Sequence, residues 1–287
     1  HDESPAVRAH AAIALASAGR RSAVTTSAAL AGILAAPGEP GRLGRIALLD
    51  AIRGGRDRRF VGVLLDLIST RPDDRELVGR ALLAMASMGD ARSIPMLLQR
   101  LRARDGRTAV RDALVELGDR AQRAVEQAMR SESTERTLRL HLPRTLSRFG
   151  NQRAADFLTE QLALEKDGLV RYKVLRGLGR LFESRKLRVN RKVILAQMQR
   201  NLVEHLRLLA SWGPLQREVA IRGRESGSLL TGLLEDKIRQ SLERVFRLFQ
   251  IAYRNEDIRG VYLALRSEDA RSRSDAREFL DALMPRL

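Results

Sequence analysis

The sequence predicts an all-α fold: a right-handed α-solenoid of about six helical hairpins, followed by a cap of longer helices. Three observations carry that expectation. A small residue followed at once by a large apolar one recurs at Ala14-Leu15, Ala51-Ile52, Ala84-Met85, Ala113-Leu114, Thr145-Leu146 and Gly177-Leu178, at spacings of 29 to 37 residues. An arginine keeps the same phase six residues ahead, at Arg8, Arg45, Arg107, Arg139 and Arg171, with Val78 in its place in the third copy. Leu, Ala and Arg dominate, aromatics are only 4%, and turn-rich β segments are missing. A period of this size belongs to two-helix repeats that bury their apolar faces only against their neighbours.

The first helix of each hairpin carries the pair. Its small residue is expected to let packed helices approach closely, while the large one fills the gap between layers. Gly19, Gly89, Gly118 and Gly150 stop these helices, as glycine does by entering left-handed backbone angles. Asp90 and Asp119 lead into second helices, which read as Ser22–Ala36, Arg58–Thr70, Ser93–Ala103, Arg120–Ser131 and Gln152–Lys166. In Ser93–Ala103 the residues Ile94, Met96, Leu97, Leu98 and Leu101 form a broad stripe. Pro95 is tolerated there because early helical positions have no amide partner to lose. Pro143 falls mid-helix in the fifth copy and is expected to bend it. The arginine ladder reads as structural, each member bonding an acidic residue or a carbonyl in an adjacent inter-helix turn. Asp2, Asp105 and Asp167 lie just ahead of Arg8, Arg107 and Arg171 and suit that role.

After about Leu181 the rhythm breaks, which divides the chain into an array at 1–182 and a helical extension or cap at 183–287. Lys186–Trp212 reads as one long helix stopped by Gly213-Pro214, with a polar connection from Gly223 to Ser228. Leu229–Arg254 reads as another, with Leu230, Leu233, Leu234, Ile238, Leu242, Val245, Phe246, Phe249 and Tyr253 spaced for one apolar face. Shorter helices near Ile258–Arg266 and Ser274–Met284 close the chain. An ending of different pattern would seal the last exposed repeat face.

The chain contains no cysteine, which excludes disulfides, thiolate metal sites and a cysteine nucleophile. Its longest uncharged stretch, Ser22–Gly38, is too short and too polar to cross a hydrocarbon core of about 30 Å. His1, His10, His141 and His205 are far apart and form no metal-ligand spacing. No phosphate-binding loop ending in Gly-Lys-Ser/Thr occurs, and Gly223, Gly227 and Gly232 make only a connection. Carboxylates lie mostly beside arginines or in caps. Catalysis, a cofactor and a bound metal are therefore not expected, and the chain reads as no enzyme.

The net charge of +17 is unevenly placed. Over half of the excess lies between residues 171 and 200, where Arg171, Lys173, Arg176, Arg180, Arg185, Lys186, Arg188, Arg191, Lys192 and Arg200 face Glu183 alone. Ordinary surface mixes signs, so this run reads as a patch for phosphates, acidic protein surfaces or anionic lipid head groups.

Pro5-Ala6-Val7-Arg8, followed by Ala11-Ala12, Ala14-Leu15 and Gly19, resembles the HEAT-like repeats of the phycobilisome-lyase type, over roughly residues 2–182. The tail is more particular. Phe246-Arg247-Leu248-Phe249, Tyr253, Glu256-Asp257-Ile258, Leu265-Arg266-Ser267-Glu268-Asp269 and Ala276-Arg277-Glu278-Phe279-Leu280-Asp281 look like the end of certain bacterial HEAT arrays. Those arrays are fused behind a transporter domain of the ATP/ADP-translocase or major-facilitator type. The resemblance implies a cytosolic, non-catalytic appendage on the cytoplasmic side of the bacterial inner membrane. Its partners would be proteins bound along the solenoid surface and anionic inner-leaflet lipid. Repeat three, lacking the arginine, and repeat six, with Phe182 at the expected terminal glycine, depart from the pattern. The start at His1, already close to the first repeat, reads as a piece of a longer protein tethered to a membrane domain.

Two other functions compete. Basicity fits a nucleic-acid-binding HEAT-like protein, in its sharpest form an alkylated-base DNA glycosylase, but such enzymes need aromatic side chains to cradle a base. Trp212 is the single tryptophan, read as a hydrophobic plug, and tyrosines number three. The repeat class alone would also fit a phycobilin-lyase-like protein that binds an open-chain tetrapyrrole.

Overall fold

The computed structural model describes residues 4–17, 23–183, 187–222 and 228–283, and every regular element among them is helical. The chain forms two compact units, His1–His141 and Leu142–Leu287. The rhythm change at residue 182 falls inside the second unit.

The first unit contains α1 (Pro5–Ser17), α2 (Ala23–Ala35), α3 (Gly38–Gly55), α4 (Val61–Thr70), α5 (Arg75–Ser87), α6 (Ile94–Arg100), α7 (Arg107–Glu116), α8 (Asp119–Arg130) and the short α9 (Arg136–Arg139). Helices α1, α3, α5 and α7 pack side by side in succession. In a second layer, α2 packs on α1 and α3, α4 on α5, α6 on α5 and α7, and α8 on α7. Each helix thus buries one stripe against its neighbours in sequence. The recurring pair lies at that contact: Ile52, Met85 and Leu114 are fully buried, with Ala51, Ala84 and Ala113 beside them. Ala14 departs from the pattern and is exposed; Ala9, Ala12 and Ile13 fill the buried side of α1. Gly89, Gly118 and Gly150 hold φ between 63 and 70°, positive angles that favour glycine, where a first helix is expected to stop. Gly19 lies outside the described residues.

The second unit contains α10 (Leu142–Ser147), α11 (Gln152–Leu164), α12 (Gly168–Glu183), α13 (Arg191–Arg222), α14 (Ser228–Ala252), α15 (Ile258–Leu265) and α16 (Ala270–Leu283). Here α10, α12 and α14 lie side by side, α11 packs on α12 and α13, α13 runs along α14, and α15 joins α14 to α16. Thr145, Leu146, Gly177 and Leu178 are buried. The absence of a side chain at Gly177 sets the approach of α12 to α10: a β-carbon there would lie 2.9 Å from the Pro143 carbonyl oxygen and 3.3 Å from Leu158 Cδ1.

Several expected boundaries move, each for a local reason. Gly213-Pro214 does not end a helix; α13 continues through it to Arg222. Proline disfavours helical angles in its predecessor by clashing with that residue's backbone N–H and β-carbon, and Gly213 lacks the second of these. The carbonyl of Ala210, left without an amide partner, belongs to an exposed residue and is open to water. Pro143 breaks its helix rather than bending it, with Leu140 and His141 in a turn between α9 and α10. The last helix begins at Ala270 rather than Ser274, because the Asp269 carboxylate accepts the amides of Arg271 and Ser272. Helix α6 ends at Arg100 rather than Ala103, because the amides of Arg102 and Ala103 bond carbonyls three residues back, those of Gln99 and Arg100, and Arg107 then takes the free carbonyls of Leu101, Arg102 and Ala103.

The α13–α14 pair is joined by a polar seam. Gln197, Asn201 and His205, four residues apart on α13, are buried, as is Ser241 on α14. His205 Nδ1 lies 2.8 Å from Ser241 Oγ, which donates to the Ile238 carbonyl at 2.7 Å. Arg244 Nε donates to Asn201 Oδ1 at 3.2 Å. Trp212, expected as a plug, is half-buried beyond this seam.

Candidate anion-binding face

Three ladder arginines act on carbonyls at the ends of preceding helices. Arg45 Nη1 donates to the Ala36 carbonyl at 2.7 Å, and Arg107 donates to those of Leu101, Ala103 and Arg102 at 2.8 to 3.0 Å. Arg171 reaches the Glu165 carbonyl at 3.4 Å. A guanidinium suits this place, since helix C-termini leave carbonyls without partners and carry partial negative charge. Asp167 caps α12 by accepting the amides of Leu169 and Val170, instead of pairing with Arg171. In the third copy Val78 is buried, and Arg71 donates to the Leu34 carbonyl. Arg8 stands exposed in a groove beside Ala36, and Arg139 is half-buried in the last turn of α9. Arg273 repeats the device on the carbonyls of Ser267 and Glu268, outside the small–large register and therefore invisible to it.

The basic run does not form one patch. Along α12, Arg171 and Arg180 are nine positions apart, about 13 Å along the axis and half a turn out of phase. Arg171 instead lines a pocket with Arg200 and Arg207 of α13. Arg191 lies over the Tyr253 ring at 5.0 Å, Lys192 is exposed, and the backbone of Arg188 is tied to Gln152. Arg185 and Lys186 lie outside the described residues. Only Lys173, Arg176 and Arg180 share a face of α12, at helical spacing.

That face gathers cations the run does not contain. Arg176 of α12 and Arg247 of α14 both lie over the Tyr172 ring, at 5.9 and 5.8 Å from its centre. Tyr172 donates its hydroxyl to Glu243 at 3.1 Å, and Arg247 Nη2 donates to the same carboxylate at 2.6 Å. Burial opposes charge on Glu243, yet these bonds outweigh it and hold the carboxyl below its ordinary range. Arg180 is also held below its ordinary value, which for a guanidinium disfavours the charge, first by burial, then by the neighbouring cations Arg144 and Arg176. Among the described residues, Arg144, Arg176 and Arg180 have no carboxylate at ion-pair distance. The first unit differs: Arg80 bridges Asp50 at 2.7 Å and Glu76 at 3.2 Å, and Arg56 reaches Glu116 at 3.0 Å.

The repeat register holds a signal for this difference. The residue just before the small one is Asp50 and Asp112 in the first unit but Arg144 and Arg176 in the second. Three positions after the small one, Glu116 gives way to Arg148 and Arg180. Side-by-side helices then bring these columns together on one face.

Chemically the face offers charge and hydrogen bonds. No group of histidine and carboxylate side chains able to hold a metal occurs among the described residues. The buried carboxylate of Asp90 is engaged by Arg92 in a helix cap. Among the described residues, no helix is long and apolar enough to cross a membrane. Neither a family model nor a curated protein matches this chain.

Proposed function

We propose that the chain is a non-catalytic helical-repeat scaffold, the cytosolic part of a bacterial membrane transporter of the nucleotide-translocase or major-facilitator type. In this reading its arginine face holds an acidic segment of a protein partner. The transporter assignment rests on the resemblance of the tail. The binding assignment rests on one observation: Arg144, Arg176 and Arg180 stand on adjacent helices without carboxylate partners. Neighbouring helix axes lie about 8–10 Å apart, which is about three residues of an extended chain. A segment crossing the helices with an acidic side chain at every third position would meet one cation row after another.

Nucleic acid is the second reading, and the rings speak against it. Tyr172, Tyr253 and Tyr262 each have a guanidinium over the ring, so base stacking would have to displace it. A fluorescent Asp/Glu-rich peptide, titrated by anisotropy, tests the proposal. Arg176→Glu with Arg180→Glu is expected to weaken binding at least about 25-fold, by removing and then reversing two charges at about 1 kcal/mol or more each. Unchanged affinity in that variant, or tighter binding to duplex DNA at about 150 mM salt, would refute it.

A further inference from the structure

Helix α13 buries a polar row beside its apolar contacts and leaves leucines uncovered. Gln197, Asn201 and His205 are buried along with Ile194 and Met198, while Leu202, at the mouth of a cavity with Leu242 and Leu280, and Val203, Leu206 and Leu209 are 39, 42, 55 and 42% exposed. One exposed leucine is unremarkable in any protein, but a continuous stripe over two turns is a contact surface. Its border identifies the contact. Arg200 and Arg207, two turns apart on one edge, join Arg171 of α12 around a pocket of about 580 Å³ that Val203 and Ala196 also line. Glu204, the acid of that pocket, accepts from Arg244 at 3.2 Å and is thereby partly neutralised. Lys192 extends the same face three turns earlier and is exposed. An apolar stripe edged by cations is the pattern of a helix lying in the boundary of an anionic bilayer. An antiparallel pair of copies fits less well, since its facing stripes would bring Arg200, Arg207 and Lys192 of both copies to one seam.

We propose that α13 lies on an anionic lipid surface, its leucines in the acyl boundary and Arg171, Arg200 and Arg207 on headgroup phosphates. This deepens the membrane-side placement proposed above and uses none of the residues assigned to the acidic segment.

The test is flotation of the chain with vesicles of phosphatidylcholine, with and without phosphatidylglycerol. Because the sequence has no cysteine, Val203→Cys carries a single environment-sensitive dye on the stripe. The chain is expected to float with anionic vesicles, with the dye brightening as it leaves water. Leu206→Ser with Leu209→Ser is expected to weaken binding at least about tenfold without lowering the melting temperature, because both leucines are already exposed. Arg200→Ala with Arg207→Ala is expected to weaken it about 25-fold, near fivefold per basic residue. Arg176→Glu with Arg180→Glu should still float, which separates failure here from failure of the acidic-segment reading. No flotation, flotation that ignores the leucine changes, or a dye that stays dim would overturn the proposal. So would concentration-dependent dimerisation that the leucine variant abolishes.

Discussion

Substituting alanine at two glycines of α12, two residues apart, is expected to shift stability in opposite directions. Glycine within a helix costs about 0.5–1 kcal/mol relative to alanine, so filling either position carries the same intrinsic gain. At Gly179 nothing lies within 4 Å of the added carbon, and Gly179→Ala keeps that gain. At Gly177 the carbon would sit 2.9 Å from a backbone oxygen, that of Pro143, which cannot swing aside as a side-chain tip can. Separating α12 from α10 by several tenths of an ångström costs about 1–3 kcal/mol, by analogy with other overpacked cores, so Gly177→Ala is destabilising by about 1–2 kcal/mol net. For a domain of this size, 1 kcal/mol moves the midpoint by about 2–4 °C. Thermal melts followed by circular dichroism should show Gly179→Ala above the parent and Gly177→Ala below it. If both variants rise together, α10 and α12 do not meet as closely as described. The reason given for a small residue at each repeat would then fail.

Two further outcomes test the ladder and the seam. Arg107→Met keeps the side-chain stem but removes three carbonyl bonds, and is expected to cost about 1–3 kcal/mol in urea denaturation, with Arg107→Lys recovering less than half. His205 is held below its ordinary value of 6.5, first by burial and then by the nearby charge of Arg244. The unfolded chain therefore takes up its proton first as pH falls. Stability is full above about pH 6.5 and declines below it, and His205→Gln should flatten that decline in melts between about pH 7 and pH 5.

The helical class and the packing of successive first helices were legible because burial repeats with the chain: Ile52, Met85, Leu114, Leu146 and Leu178 are all fully buried. Boundaries were less so, since they depend on local hydrogen bonds that apolar spacing does not report, such as the tightened turn after Arg100 and the Asp269 cap on α16. Gly213-Pro214 misleads because a local rule about proline assumes a β-carbon on the residue before it. The candidate site was half visible. Charge density along the sequence finds Arg176 and Arg180 but also gathers Arg171 and Arg191, which point elsewhere. Arg144 and Arg247 come from other helices and join the face only through side-by-side packing. The polar seam has no sequence signal of its own: Gln197, Asn201 and His205 sit at helical spacing, as a solvated face would.

That seam has a consequence for assembly. Two helices joined by leucines can slide along each other, since one apolar contact replaces another at small cost. Here a slip of one turn, about 5.4 Å, would part His205 from Ser241 and Asn201 from Arg244, leaving enclosed polar atoms dry and unmatched. The hairpin is thus indexed to a single alignment. The side of α13 that faces outward is then fixed from the moment the two helices close.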